Sequence, residues 1–191
     1  MKRILLVSLF TTLFLAACGS GGGAEKRSTE PVVQYKETVL SCTDGWSQYK
    51  VPETSIQFCY LPAWGEPVVE AQEATKGTLN KLSFLNTSTS PVLWYLSTDY
   101  EGDGSRPVDF CFSCLRVTSG NEDLQKQMEE ELGASDFTAR KTDVGAARAV
   151  RVSGDELKFY VPNAFEGHHV LISSPKSLAE DLDNFTFDML F

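Results

Sequence analysis

Turn-forming clusters cut the chain from Trp46 onward into short β-prone runs, and runs of that length bury their apolar faces only by pairing with one another. Trp46 to Val51 and Ile56 to Leu61 flank Pro52-Glu53-Thr54-Ser55, which has the composition of a turn, so the two runs predict a hairpin. Strand alternation puts Ile56, Phe58 and Tyr60 on one face, predicted to be core, and Gln57, Cys59 and Leu61 on the other. Pro62-Ala63-Trp64-Gly65 stops the second strand, because proline cannot donate to a ladder and glycine opens a turn. Val68 to Ala74, Leu79 to Leu85 and Pro91 to Ser97 continue the pattern, the last two joined across Asn86-Thr87-Ser88-Thr89-Ser90, which implies an antiparallel succession.

Asp99 to Arg106 is polar and reads as a loop, whereas Val108 to Thr118 is apolar and aromatic, predicting a further strand or an ordered insertion packed by its own cysteines. Asn121 to Leu132 predicts a helix. Asn121 is placed to cap it, Glu122 and Asp123 suit the positive end of its dipole, Leu124, Met128 and Leu132 recur at i, i+4, i+8, and Gly133 can end it. So narrow an apolar stripe predicts a helix lying on the outside of a sheet. Ala147 to Ser153, Leu157 to Pro162 and His168 to Ser173 read as three more strands, and Leu178, Leu182, Phe185 and Met189 predict a closing helical segment, broken near Asn184.

Ahead of this domain lies a different kind of sequence. Lys2 and Arg3, the apolar run Ile4 to Leu15, and Leu15-Ala16-Ala17-Cys18 form an export signal ending in a small-residue cleavage site. The apolar run is shorter than the roughly 20 residues that span a bilayer comfortably. It resembles the bacterial lipoprotein signal, which implies that residues 1–17 are removed and that Cys18 is diacylated as the new N-terminus. By the same resemblance, Gly19 in place of aspartate favours the outer membrane in a diderm source. Residues 18–41, beginning with a Gly/Ser-rich stretch, read as the lipidated N-terminus and a flexible tether, and residues 42–191 as one domain. Loss of Lys2 and Arg3 takes the formal charge from −9 to −11, a surface that disfavours nucleic acid, anionic lipid and phosphate as partners.

Besides Cys18, the chain has Cys42, Cys59, Cys111 and Cys114, an even set that in an exported protein predicts two disulfides. Their pairing is open. Cys111-Phe112-Ser113-Cys114 has the C-x-x-C spacing of thiol–disulfide exchangers, but its flanks read as strand and no helix begins there. In a straight strand, residues three apart lie ~10 Å from one another on opposite faces, so a local bridge requires a turn. A zinc tetrathiolate lacks the short spacing expected between Cys42 and Cys59.

The order of elements resembles the PsbP-like family: lipoprotein signal, linker, a Trp46-x-x-Tyr49 strand, an aromatic strand, a meander, a lone helix, three strands and a Phe/Leu-rich terminal helix. Ile56-Gln57-Phe58-Cys59-Tyr60-Leu61-Pro62-Ala63-Trp64 is similar to that family's Phe-x-Phe-x-Tyr-Pro-x-x-Trp, with isoleucine for the first phenylalanine and one extra residue before the proline. The insertion holding Cys111 and Cys114 departs from the family pattern. The resemblance implies an α+β sandwich, a central antiparallel sheet with helices on both faces, used as a non-catalytic binding or assembly module.

Other candidate chemistry is thin. Asp99-Tyr100-Glu101-Gly102-Asp103-Gly104 opens like a calcium loop but has Phe110 at its twelfth place, and reads as a solvated acidic turn. His168 and His169 are adjacent in a predicted strand and so face opposite ways, and Glu129-Glu130-Glu131 is a solvated charge run. Trp94 and Tyr95 likewise face apart. Both are core if both sheet faces are covered, and otherwise one marks a binding surface. The expectation is therefore a non-enzymatic envelope lipoprotein without metal or cofactor, held to the membrane by its lipid and partnered by another envelope protein. The alternative is a thiol–disulfide or metal-binding protein that uses Cys111 and Cys114.

Overall fold

A computed structural model describes residues 40–191, so Cys18, the signal and nearly all of the tether lie outside the described residues. The chain builds β1 (Ser47–Lys50), β2 (Gln57–Tyr60), β3 (Pro67–Gln72), β4 (Leu79–Phe84) and β5 (Val92–Ser97), then α1 (Asn121–Leu132). β6 (Thr138–Val144), β7 (Ala147–Ser153), β8 (Glu156–Phe165), β9 (His168–Pro175), α2 (Ala179–Phe187) and β10 (Met189–Leu190) complete it. The class is mixed α+β. All pairings between these strands are antiparallel, in a seven-stranded sheet of order β3-β4-β5-β9-β8-β7-β6 and a three-stranded sheet of order β1-β2-β10.

Alternation along the seven strands divides the interior into two apolar clusters. Leu82, Phe84, Leu93, Tyr95, Phe159, Val161, Val170 and Ile172 face the first, which Ile56, Phe58 and Trp64 join from the β2 region and Leu182 and Phe185 from α2. Phe58 touches Tyr49, Tyr60, Phe84 and Phe185 with ring centroids 5.2–6.4 Å apart, an arrangement that fixes the smaller sheet on the larger. Leu79, Leu96, Val150, Val152, Tyr160 and Leu171 face the second cluster, with Leu124 and Met128 of α1 and with Val108, Phe112 and Leu115 of the segment between β5 and α1.

The predicted hairpin, core face of β2 and helix over 121–132 are present, the insertion is the one of the two readings of Val108 to Thr118 that holds, two expectations are corrected, and one strand is new. Val108 to Thr118 forms no strand: it is an ordered insertion with a 3-10 turn at Phe112–Cys114, anchored by the burial of Val108, Phe112 and Leu115. Gly120 rather than Asn121 precedes the helix as its N-cap, and Asn121 Oδ1 instead accepts from Lys141 N at 3.4 Å. The closing helix does not break near Asn184 but ends at Phe187, and Met189, expected on its stripe, instead pairs with Phe58 as β10 and is fully buried. β6 was not foreseen, because only Ala139 and Val144 of its seven residues are buried. Its outer edge is closed by α1, whose Gln125 Oε1 accepts from Ala139 N at 2.6 Å. Gly145, at φ +54°, turns β6 into β7, and a Cβ there would collide with the Met189 carbonyl.

Candidate functional site

The C-x-x-C turn is built from its flanks inward. Asp109 accepts from Tyr100 Oη at 2.8 Å and from Arg106 N at 3.1 Å, which fixes the entry to the insertion. Burial, and then the bond to Asp109, pushes the Tyr100 phenol up to about 12, so it stays a proton donor at neutral pH. Phe112 stacks on His169 with ring centroids 4.9 Å apart, and Phe110 lies 4.6 Å from Tyr160. Those two contacts seat the turn on β8 and β9.

On this platform the 3-10 turn brings the Cys111 and Cys114 Cα atoms to 5.2 Å, and the two are joined as a disulfide. The flanks that read as strand are therefore a turn, and the geometric objection to a local bridge is removed. Cys114 is exposed and Cys111 half-buried, with Ser113 Oγ 3.6 Å from Cys111 Sγ. Gln127 of α1 holds the exit: its Nε2 donates to Cys114 O at 2.5 Å and its Oε1 accepts from Arg116 N at 3.2 Å. Cys114 thus opens on a groove against α1 lined also by Arg116, Lys126 and Glu130. A sulfur in that position is accessible to an attacking thiolate.

The other bridge, Cys42–Cys59, spans a Cα distance of 5.6 Å and ends on a strand residue with no solvent exposure. Together the two bridges use all four cysteines among the described residues, which leaves no thiolate set for zinc. Among the described residues no group of three or more His, Cys, Asp or Glu side chains could hold a metal ion. The carboxylates of the calcium-like loop are engaged locally, Asp103 with Ser105 N at 3.0 Å and Asp99 with Ser97, and these bonds hold both carboxyls below their ordinary range.

His168 and His169 do face opposite ways. His168 stacks on Phe165 at 4.6 Å, while His169, 5 % exposed, accepts at Nδ1 from Asn163 N at 2.9 Å. Burial, and secondarily His168, lowers the His169 pKa, so its neutral imidazole is the structural form. Tyr95 lies in the first cluster, and Trp94 packs half-buried against the second beneath Lys81, whose Nζ is 5.6 Å from the ring centroid.

Two features escaped the sequence reading. Phe165, His168 and Phe191 form a half-buried aromatic ledge, with Phe165 stacked on Phe191 at 6.2 Å. Arg140 and Arg151 stand directly opposite each other on β6 and β7. Neither grouping has a local sequence signal, because each depends on strand register. Comparison with protein-family models, curated proteins and solved structures finds no match for the chain.

Proposed function

We propose that the chain is a lipid-anchored, extracytoplasmic lipoprotein whose domain is a PsbP-like sandwich acting as a non-catalytic binding module for another envelope protein. The observation that carries the reading is the sequence Leu15-Ala16-Ala17-Cys18 at the end of an export signal, followed by a Gly/Ser-rich stretch. Two disulfides in the domain behind it are compatible with an oxidising compartment. Support for the sandwich comes from the second helix packing in the opposite apolar cluster from the first. Support for binding comes from the half-buried aromatic ledge of Phe165, His168 and Phe191, because aromatic side chains such as Phe are enriched at interfaces. Membrane fractionation tests the anchor: the wild-type chain should sediment with membranes and Cys18→Ala should be released. A Cys18→Ala protein that still sediments would sink the reading.

The exposure of Cys114 favours a second reading, in which the Cys111–Cys114 bridge exchanges with dithiols of other envelope proteins. A partner thiolate attacks Cys114 Sγ, the bond to Cys111 breaks, and Cys111 leaves as a thiolate near the Ser113 hydroxyl. The partner's second thiolate then resolves the mixed disulfide, leaving an oxidised partner and a reduced Cys111/Cys114 pair. A redox titration with thiol trapping and peptide mapping should label Cys111 and Cys114 at potentials where Cys42 and Cys59 remain oxidised. Simultaneous labelling of all four would exclude this reading.

A further inference from the structure

We propose that Thr138, Arg140, Arg151 and Ser153 form a binding site for a single tetrahedral phosphate group, carried either by a soluble phosphate ester or by a lipid headgroup. The four residues line one recess of about 370 Å³. Antiparallel register makes the site: Arg140 lies opposite Arg151 and Thr138 opposite Ser153, so two guanidiniums and two hydroxyls share one face of the β6–β7 hairpin. Like charges directly opposed across a ladder are unfavourable. Only one of the two is compensated, through the 2.9 Å contact of Arg151 Nη1 with Asp183 Oδ1. The Arg151 guanidinium also lies 5.6 Å from the Phe159 ring centroid, which holds it in place.

Arg140 makes no salt bridge to another described residue, and neither hydroxyl hydrogen-bonds to one. The hairpin's one carboxylate, Asp143, is on the opposite face, across from Arg148. One net positive charge and donors on two sides therefore remain. Paired guanidiniums match two oxygens of an oxyanion, and the flanking hydroxyls can serve the others, a donor set richer than a carboxylate can use. The strongly negative chain repels polyanions at long range, so the site suits one phosphate group rather than a phosphate polymer. This places a local cationic pocket on a surface whose overall charge disfavours phosphate.

The test uses the full chain carrying Cys18→Ala, so that no acyl chain contributes to binding and the result does not depend on the anchor. Calorimetric titration with inorganic phosphate should show saturable binding, weakened roughly tenfold or more by Arg140→Ala, as expected for loss of a charge-assisted hydrogen bond. Arg140→Lys should recover part of it. Thr138→Val, which replaces only an exposed hydroxyl by a methyl, should weaken binding a few-fold and carries the comparison if Arg140→Ala does not fold. Co-sedimentation with phosphatidylcholine vesicles containing phosphatidylglycerol, but not with pure phosphatidylcholine, and its loss in Arg140→Ala, would assign the phosphate to a lipid headgroup. Phosphate binding without vesicle binding would assign it to a soluble ester. Absence of saturable phosphate binding, or equal affinity in folded wild-type and Arg140→Ala chains, would overturn the site.

Discussion

The Cys42–Cys59 bridge ends on a fully buried residue of β2 and encloses the β1–β2 hairpin, whereas Cys111–Cys114 closes only its own turn and leaves Cys114 in solvent. The chemistry of the two bonds is the same and their settings are opposite. Loop-closure entropy grows with the number of residues enclosed, so a sequence separation of 17 restricts the unfolded chain more than one of 3. Solvent access runs the other way. The first bridge is therefore placed to stabilise the domain and the second to remain reachable, its turn seated mainly by Phe112 on His169 and by Gln127 from α1.

The largest expected effect probes the core beside the first bridge. Phe58→Ala should cost about 4 kcal/mol, read as a fall in urea midpoint, because it empties the centre of an aromatic cluster around a residue with no exposure. A loss below ~1 kcal/mol would mean that the smaller sheet is not held by Phe58. Next, the double change Cys42→Ala with Cys59→Ala should cost about 3 kcal/mol, and Cys111→Ala with Cys114→Ala less than about 2 kcal/mol. Equal costs would break the contrast between the bridges.

The smallest effect concerns the platform under the second bridge. His169 has a folded-state pKa below 6.5, so below that value the unfolded chain binds the proton that the folded chain refuses. Stability should be independent of this residue above about pH 6.5 and should decline as pH falls below it, since protonation of Nδ1 removes the acceptor of the Asn163 N–H. Replacing His169 by glutamine should remove that component of the decline between pH 7.5 and 5.5. An unchanged profile would show that His169 carries no pH dependence and would detach the turn from acid sensitivity.

Much of the architecture was legible residue by residue. The run Ala147 to Ser153 is β7 as read, the helix over Asn121 to Leu132 has the bounds that its acidic first turn and Gly133 define, and Ile56, Phe58 and Tyr60 are core. These signals are local: periodicity, turn chemistry and a left-handed Gly133 act within a few residues. The site was less legible. The pairing of Cys42, Cys59, Cys111 and Cys114 was open until the 3-10 turn brought the last two together.

What the sequence determined by itself is the antiparallel succession of short strands, the mid-chain helix and the presence of an even set of bridging cysteines. Tertiary structure alone decided that polar β6 is an edge strand closed by Gln125, that Met189 lies past the closing helix in a strand paired alongside β2, and that Arg140 faces Arg151. The physical reason is that each of these rests on a contact between residues distant in sequence or on strand register, where the free energy of packing outweighs any local preference.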